Sequence, residues 1–428
     1  METVAEVRYI NGQRHHFQLK EQGQITNAPH PLSDGDTCII SGGTGGLGLL
    51  LARHLVSKAK LNLVLAARSE PSEKLLGVVK ELEQTGSQVA LIRADITRRE
   101  DAQQLVEQTR QRFGRIDAVV HAAGLTRDSF LRNKTLKEVD QVLAPKLSGT
   151  MYLDEATAQD KLKFFALFSA LGALKGNPGQ CDYSYANRFM DLFAERRETQ
   201  RKQNQRHGTT IAYNWPLWRN GGMQVDAQYE KLLATTWGMH PLDTQPGLDT
   251  FDAALHTGLS QLVVLQGDRA KILRVFCTPD LAAPKSEPAA TATNTDVNIT
   301  DALITDLKKG VYEVLQVDAS QADPEADMSE WGFDSVTFTE YTNFINDHFD
   351  MEVTPIIFFE VQTLSELSEY LIEEHGSELN TFFQGKTPSA KSAPAPAPEP
   401  TAMPAASPVI NMVGVVTWPT RDKGERFM

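Results

Sequence analysis

A glycine-rich loop is the segment whose residue types most directly suggest chemistry. It runs Ser41-Gly42-Gly43-Thr44-Gly45-Gly46-Leu47-Gly48, follows an apolar run and opens a helical pattern. Glycines let the backbone turn sharply and approach a pyrophosphate, and the start of a helix supplies free N–H groups and a positive dipole end. The loop therefore predicts a dinucleotide site, with a tight strand-to-helix turn that binds nothing as the alternative.

The ends of the next strands indicate which dinucleotide binds. NAD sites place an acid about 20 residues after the glycines, on the ribose 2′-OH. This chain has Arg68 and Ser69 there, and a guanidinium with a hydroxyl suits a 2′-phosphate. The prediction is NADPH, with Asp95 on the adenine amine and His121-Ala122-Ala123-Gly124 as a small-residue floor. A solvated Arg68 at a strand end is the alternative.

The surrounding pattern supplies elements that could position these residues. From Asp36 onward, apolar runs alternate with amphipathic helical segments, which is typical of a parallel sheet covered on both faces. The predicted fold class is α/β, a Rossmann-like doubly wound parallel sheet, followed by a small all-α four-helix domain. The predicted strands are Thr37–Ile40, Asn62–Ala67, Val89–Arg93, Ile116–His121, Phe164–Phe168, Thr210–Asn214 and Gln261–Leu265.

Changes in composition predict the division of the chain into segments. An edge strand or hairpin at Val7–Ile10 precedes the α/β pattern, and two Ala/Pro-rich stretches have the composition of linkers. The last residues contain some apolar side chains but no domain. The predicted segments are 1–33 as the tail of a preceding subdomain, 34–277 as the dinucleotide domain, 278–298 as a linker, 299–376 as the helical domain, and 377–428 as a linker with an unassigned tail.

Acidic residues are concentrated in the helical segment. The net charge of the chain is −13, yet residues 301–375 contain 18 acidic side chains and two lysines, a local charge of −16. This concentration indicates either a surface recognised by basic partners or a solvated helical surface, and it would repel nucleic acid.

Cysteine usage and hydropathy indicate the cellular compartment of the protein. The three cysteines have no paired spacing, so they suggest neither a disulfide frame nor a metal site. There is no apolar run of roughly 18 residues and no secretory signal at the N-terminus. We expect a cytoplasmic protein without a membrane partner.

Several motifs together resemble one enzyme superfamily. The glycine loop, Arg68, His121-Ala122-Ala123-Gly124 and the run Tyr183-Ser184-Tyr185-Ala186-Asn187 are similar to the short-chain dehydrogenases/reductases. Over 34–277 the sequence resembles the ketoreductase domains of modular polyketide synthases. Free-standing members have a lysine four residues after the active tyrosine, where this chain has Asn187. Lys146 matches the upstream position that synthase ketoreductases use instead.

The resemblance implies a reduction in which hydride reaches a ketone carbon and Tyr183 protonates the oxygen. A phenol near pKa 10 is a slow proton donor at neutral pH, so a neighbouring Lys146 ammonium is expected to lower its pKa. Lys146 could also hold the cofactor ribose, and Asn187 would orient a water or the lysine. Taken alone, Tyr183 would be interpreted as a buried aromatic residue with a solvated hydroxyl.

One position departs from the family pattern. The active serine lies thirteen residues before the tyrosine, and this chain has Ala170 there. Losing one such donor typically costs about 10²–10³ in rate. Ser169 is adjacent, but a shift of one residue along a strand points the side chain to the other face. Three interpretations stay open: an engineered substitution, a naturally impaired domain, or a domain that uses Ser169 or water.

The same resemblance implies a stereochemical outcome. Asp128, in Leu125-Thr126-Arg127-Asp128, matches the last acid of the motif that marks B-type ketoreductases, which give D-configured alcohols. Lys175 stands where A-type domains have tryptophan, and the position two residues after Tyr183 is Tyr185 rather than proline, which resembles the non-epimerising subtype. A loop acid that caps a turn is the alternative for Asp128.

The helical segment resembles acyl carrier proteins. Trp331-Gly332-Phe333-Asp334-Ser335-Val336 precedes an amphipathic helix, and Thr354–Glu360 and a last helix at Leu364–Glu374 follow in the order of that family. The resemblance implies that Ser335 carries 4′-phosphopantetheine. Asp334 or Ser335 as a simple helix N-cap is the alternative.

The combined expectation is a ketoreductase–carrier didomain of a polyketide synthase, with sequence features of lines served by a separate acyltransferase. The expected partners are a carrier-tethered β-ketoacyl intermediate, ketosynthase and acyltransferase domains, and a phosphopantetheinyl transferase. A scaffold with a silent reductase and a working carrier is the first rival. A fatty-acid-type reductase fused to a carrier is the second.

Overall fold

The computed structural model describes most of the dinucleotide domain and the helices of the acidic segment. The described residues are 7–10, 13–16, 19–22, 30–177, 179–222, 230–231, 233–276, 296–315, 323–333, 335–351, 353, 357–358, 361–384 and 409–413. The predicted linker at 278–298 lies outside them except for its last three residues, which begin a helix. Lys391–Pro408, Asp334 and most of Thr354–Glu360 also lie outside.

The described residues fall into two compact units, 1–284 with 404–428 and 285–403. The larger unit contains strands β1 Val7–Ile10, β2 Gln13–His16, β3 Lys20–Glu21, β4 Thr37–Ser41, β5 Asn62–Ala67, β6 Gln88–Arg93, β7 Ala118–His121, β8 Phe164–Ala170, β9 Thr209–Trp215, β10 Gln261–Gln266 and β11 Val409–Val413. Its helices are α1 Gly46–Lys58, α2 Glu73–Glu83, α3 Arg99–Phe113, α4 Leu136–Ala156, α5 Gly172–Lys175, α6 Cys181–Lys202, α7 Thr244–Ala254 and α8 Arg269–Phe276.

Seven parallel strands form the centre of the sheet, in the order β10-β9-β8-β7-β4-β5-β6. The order reverses next to β4, so β4 has β5 on one side and β7 on the other. Ligands of open α/β sheets bind at such a switch point, beyond the carboxyl ends of the strands. The predicted doubly wound sheet is confirmed, and each predicted strand is present with ends shifted by at most two residues.

Side chains alternate between two cores because successive residues of a strand face opposite sides of the sheet. Cys38 and Ile40 lie in one apolar cluster, whereas Ile39 between them lies in the other. Phe164 and Phe165 divide in the same way. Both faces are therefore covered by helices, as the continuous apolar strands predicted.

The sheet edge contains two strands that sequence patterns did not place there. β11 pairs antiparallel with β10, and β3 pairs antiparallel with β11. The tail left unassigned in the sequence thus contributes Val409–Val413 to the sheet. β1 and β2 form a separate antiparallel hairpin, which agrees with the strand expected at Val7–Ile10.

The smaller unit is built on three long helices in its described residues: α9 Asp296–Leu315, α10 Ser335–Phe349 and α11 Leu364–Gln384, with a 3₁₀ turn at Met328–Trp331. Its interior is aromatic, with Phe333, Tyr341 and Phe349 fully buried. The Tyr341 hydroxyl donates to Leu307 O at 2.8 Å and so joins α10 to α9. The last helix continues beyond the predicted boundary at 376.

No helix in the described part of the chain is long and apolar enough to span a membrane.

Helices α4 and α6, which border the site described below, are joined by a buried ion pair. Arg197 on α6 donates to Asp154 on α4 at 2.7 Å and to Thr210 Oγ1 at 2.8 Å, and its side chain is 1% exposed. The neighbouring residue Glu155 forms a surface pair with Arg99 at 2.6 Å, with side chains 44% and 53% exposed.

Breaking these two neighbouring ion pairs should lower the free energy of unfolding by very different amounts. In Arg197→Ala the buried Asp154 carboxylate keeps its second partner, Arg206 at 3.0 Å, so we expect a loss of about 3 kcal/mol in the free energy of unfolding, the lower end for a broken buried pair. Arg99→Ala breaks a solvated pair and should cost less than about 1 kcal/mol. Urea denaturation of both variants measures the difference. Equal losses in the two variants would contradict the claim that the buried pair contributes more to stability than the exposed pair.

Candidate active site

The glycine-rich loop is held against the sheet so closely that side chains could not be accommodated. Gly42 has φ +71°, and a Cβ on it would lie 2.7 Å from the Ala123 backbone. A Cβ on Gly46 would lie 2.2 Å from Gly221 O. α1 begins at Gly46 without an acid in its first turn, so its free N–H groups face no competing charge. This backbone fits the pyrophosphate of a dinucleotide.

The residues expected to bind the adenosine half of the cofactor lie at the ends of β5 and β6, on one side of the sheet. β4, β5 and β6 are adjacent, and Arg68 and Ser69 follow β5 as exposed residues. Arg93 Nε donates to Arg68 O at 3.0 Å. Asp95, after β6, accepts from Thr97 N and Thr97 Oγ1 through one carboxylate oxygen. Within the described residues the Arg68 guanidinium has no ion pair, so a 2′-phosphate would meet an uncommitted cation.

His121 closes the floor of the site in one defined tautomer. Its Nε2 lies 3.0 Å from Pro145 O, a group that can only accept, so Nε2 carries the proton. Nδ1 then accepts from the Ser41 hydroxyl at 2.5 Å. Burial, with the charge of Lys146, lowers the pKa of His121 to about 3, so the ring is neutral at ordinary pH. The ring ties the ends of β4 and β7 to α4.

Lys146 projects from α4 into the interior between β8 and α6. The residue is 3% exposed, and its Nζ donates to Phe168 O at 2.9 Å and lies 3.7 Å from Met190 Sδ. A Cβ on Gly124 would lie 2.8 Å from the lysine Cε, so a larger residue there would displace the end of the lysine side chain. Nζ is 5.6 Å from the centroid of the Tyr183 ring. The structure thus brings together the lysine and the tyrosine that the sequence predicted as partners.

Tyr183 and Asn187 lie one turn apart on α6, on the face that meets Lys146. Asn187 Nδ2 donates to Tyr183 O at 2.8 Å, and Asn187 Oδ1 is buried without a partner among the described residues. Burial raises the pKa of the Tyr183 phenol, the Asn187 side chain lowers it, and the Asp128 charge raises it. The net direction is upward, so the expected lowering by Lys146 is not found. The phenol therefore holds its proton at neutral pH.

The end of β8 is organised by a polar network beneath the surface. Asn214 Nδ2 donates to Ser169 Oγ, Ala170 O and both oxygens of Asp191, all within 3.1 Å. Ser169 Oγ also donates to Asn187 O at 3.2 Å. Ser169 is therefore committed within the network, whereas the methyl group of Ala170 occupies the strand end where the family has its serine. This arrangement agrees with the opposite orientation expected for adjacent strand residues.

The loop that contains Asp128 lies over the start of α6. Asp128 Oδ2 accepts from Gln180 Nε2 at 2.7 Å, and Ser129 N donates to Gly179 O at 2.9 Å. Lys175, at the position of the A-type tryptophan, places its ammonium 5.6 Å from the Phe276 ring centroid. Asp128 is close enough to Tyr183 for its charge to raise the pKa of the phenol, and its role in stereocontrol stays a prediction.

The predicted attachment residue lies at a helix start in the smaller unit. Ser335 is the first residue of α10. Gly332, three residues earlier, has φ +98°, a conformation that favours glycine and turns the chain into the helix. The helix N-terminus favours a phosphate at this position.

Comparison with known families identifies both units. Residues 36–220 match the KR domain family, and residues 306–371 match the phosphopantetheine attachment site family. The chain carries a ketoreductase domain and a carrier domain of the polyketide synthase type. The ketoreductase domain has the short-chain dehydrogenase/reductase fold, which implies a nicotinamide cofactor.

Relatives over most of this chain are much longer synthases. Polyketide synthase PksN of Bacillus subtilis (strain 168) is 36% identical over 403 residues, which are 92% of this chain and 7% of that protein. PksM of the same organism is 31% identical and covers 92% of this chain and 9% of its own length. The chain therefore spans less than a tenth of these relatives.

Solved ketoreductases resemble the larger unit. A ketoreductase domain from the bacillaene assembly line is 35% identical with a TM-score of 0.60, and the match covers 63% of this chain and 64% of that one. An N-terminal ketoreductase from the macrolactin assembly line is 32% identical with a TM-score of 0.53, covering 62% and 50%.

Sequence reasoning missed Asp191 and Asn214 in the ketoreductase domain. Asp191 is buried, and desolvation raises its pKa to about 6. One signal was available, because Tyr183, Asn187 and Asp191 follow at intervals of four and so share a helix face. Nothing in the sequence pattern indicated Asn214, which arrives from β9.

The charge of Asp191 should control the titration of Lys146. Burial lowers the lysine pKa to about 8, and Asp191 opposes that effect. In Asp191→Asn the supporting anion is lost, so we expect the lysine pKa to fall below the wild-type value. As the pH rises, Lys146 would then lose its proton at a lower pH in the variant than in the wild type. NMR titration of isotope-labelled lysine side chains between about pH 6 and 10 tests this, with Glu155→Gln on α4 as the exposed-acid control. An unchanged Lys146 pKa would contradict the coupling.

Proposed function

We propose that this didomain uses NADPH to reduce a β-ketoacyl thioester, held on phosphopantetheine at Ser335, to a D-β-hydroxyacyl thioester. The observation that carries the proposal is the position of Lys146, which enters from α4 and places its ammonium 5.6 Å from the Tyr183 ring while Asn187 lies one turn away. The shared face of α6 supports one proton-transfer centre beside the dinucleotide loop.

The cofactor contacts follow from the loop and the strand ends. When bound, NADPH would supply the hydride for the ketone carbon. The backbone of Gly43–Leu47 would hold the pyrophosphate, and Arg68 with Ser69 would bind the 2′-phosphate. Asp95 keeps one carboxylate oxygen outside its bonds with Thr97 and would accept from the adenine amine.

Tyr183 acts as the acid of the reaction. Its raised pKa keeps the phenol protonated, and the developing alkoxide is a strong enough base to take that proton. The Lys146 ammonium then stabilises the phenolate that remains. The unpartnered Asn187 Oδ1 can accept from a water or from Lys146, and so can orient a group for proton return. Tyr183 thus donates the proton, and Lys146 stabilises the negative charge that remains on the phenol oxygen.

Ala170 removes the second donor that would stabilise the oxygen as charge builds. Ser169 cannot simply substitute, because its hydroxyl is bound to Asn187 O and Asn214. A water at the end of β8 is the remaining donor for this role. We therefore propose that the reductase site is assembled but reduces its substrate slowly.

The carrier domain explains why reductase and substrate belong to one chain. Holding the substrate on the same chain as the reductase replaces bimolecular encounter by an effective concentration of about millimolar. The acidic surface suits ketosynthase and acyltransferase domains, and a phosphopantetheinyl transferase, that dock through basic patches. Asp128, close to Tyr183, supports the B-type outcome.

One observation favours a second function. Since Ala170 cannot donate and Ser169 is engaged, the ketoreductase domain could be silent, leaving a scaffold with a working carrier.

Ala170→Ser separates these two functions. Restoring the donor should raise the rate of NADPH oxidation with a β-ketoacyl thioester by about 10²–10³-fold, and the product should be the D-alcohol. Ala173→Ser on α5 serves as the control. No turnover in either wild type or Ala170→Ser would favour the silent scaffold. An L-alcohol would refute the B-type assignment.

Ser335→Ala tests the carrier assignment without any turnover. Wild-type protein incubated with coenzyme A and a phosphopantetheinyl transferase should gain one phosphopantetheine by intact mass, and Ser335→Ala should gain none. Thr305→Ala, which removes an exposed hydroxyl on α9, should be modified like wild type. Modification of Ser335→Ala would place the arm elsewhere.

A further inference from the structure

A buried ion pair joins the Asp128 loop to the helix of Tyr183. Lys134 Nζ lies 2.9 Å from Asp182 Oδ2, and the two side chains are 1% and 2% exposed. The same ammonium donates to Arg127 O. The other oxygen of Asp182 accepts from Tyr183 N at 2.8 Å. One pair of charges therefore contacts both the loop before α4 and the catalytic turn of α6.

Stability alone is a poor explanation for this pair. Desolvation of two charges commonly cancels their attraction, and apolar replacements of buried pairs are often as stable. Buried pairs instead define a particular arrangement of the elements that they join. Glu138, whose pKa the Lys134 charge helps to lower, is committed to the capping box with Thr135 at the start of α4, so it does not replace Asp182.

The arrangement defined here is that of Asp128 relative to Tyr183. Lys134 lies at one end of the loop, where it holds Asp182 and Arg127 O. In the middle of the loop, Ser129 N donates to Gly179 O, and Asp128 accepts from Gln180. These two hydrogen bonds join the loop to Gly179 and Gln180 at the start of α6, and the ion pair adds a buried link beside them; Asp128 itself is exposed.

We propose that Lys134 and Asp182 are positioning residues for stereocontrol: they fix the Asp128 loop against Tyr183 and so determine which face of the ketone receives hydride. This inference rests on the proposed ketoreduction. It concerns the geometry of the site rather than the presence of activity.

The test measures the ratio of D- to L-alcohol formed by the full chain, in the wild-type and Ala170→Ser backgrounds. Lys134→Met and Asp182→Asn should each raise the minor alcohol about tenfold, while NADPH affinity changes less than about twofold. In the double variant the minor alcohol should rise by less than the product of the two single effects, because both substitutions disrupt the same ion pair. Lys137→Met and Asp140→Asn, which alter exposed charges on α4, should keep the wild-type ratio.

The outcomes distinguish this inference from the proposed function. A variant that loses rate or stability at an unchanged product ratio would overturn it, since a purely structural role predicts that result. If wild type gives mostly the L-alcohol, the B-type assignment fails, but a ratio altered only in the pair variants still supports positioning. If no background turns over, amide hydrogen exchange of residues 125–133 decides: faster exchange in both variants supports the inference, and wild-type exchange refutes it.

Discussion

The ammonium of Lys146 sits where water cannot solvate it, and the surrounding residues supply what that charge requires. Phe168 O accepts from it at the end of β8, and Asp191 provides an opposing charge from α6. Asp191 is itself buried and is satisfied by Asn214, which also bonds to Ser169 and Ala170 O. Because a buried charge without partners is costly, α4, α6, β8 and β9 must meet in one arrangement.

This arrangement also explains the position of the Tyr183 phenol. Tyr183 is on the same helix face as Asn187 and Asp191, so the contacts that satisfy Lys146 bring the ring to the cation. His121 acts from the opposite side, where its neutral ring joins Ser41 and Pro145 O. The candidate site thus lies between the glycine-rich loop and α6, where these hydrogen bonds hold Lys146 and Tyr183 together.

Much of this architecture was predictable from local pattern. Continuous apolar strands separated by amphipathic helices specify a parallel sheet covered on both faces, and the glycine loop specifies a close approach of β4 and α1. The pairing of Lys146 with Tyr183 was predictable only through family resemblance, because 37 positions separate them in the chain. Val409–Val413 was not predictable as a sheet strand, since five residues have no pattern strong enough to indicate a distant partner.

The sequence by itself determined the elements, the glycine-rich loop between β4 and α1, and the start of α10 at Ser335, because these depend on neighbouring residues and on backbone preferences. The tertiary structure alone decided the direction of the Tyr183 pKa, the engagement of Ser169, and the pairing of Lys134 with Asp182. Those properties depend on burial and on which distant groups come within hydrogen-bonding distance. Local patterns contain no measure of either quantity, because both arise only when α4, α6 and the strand ends pack together.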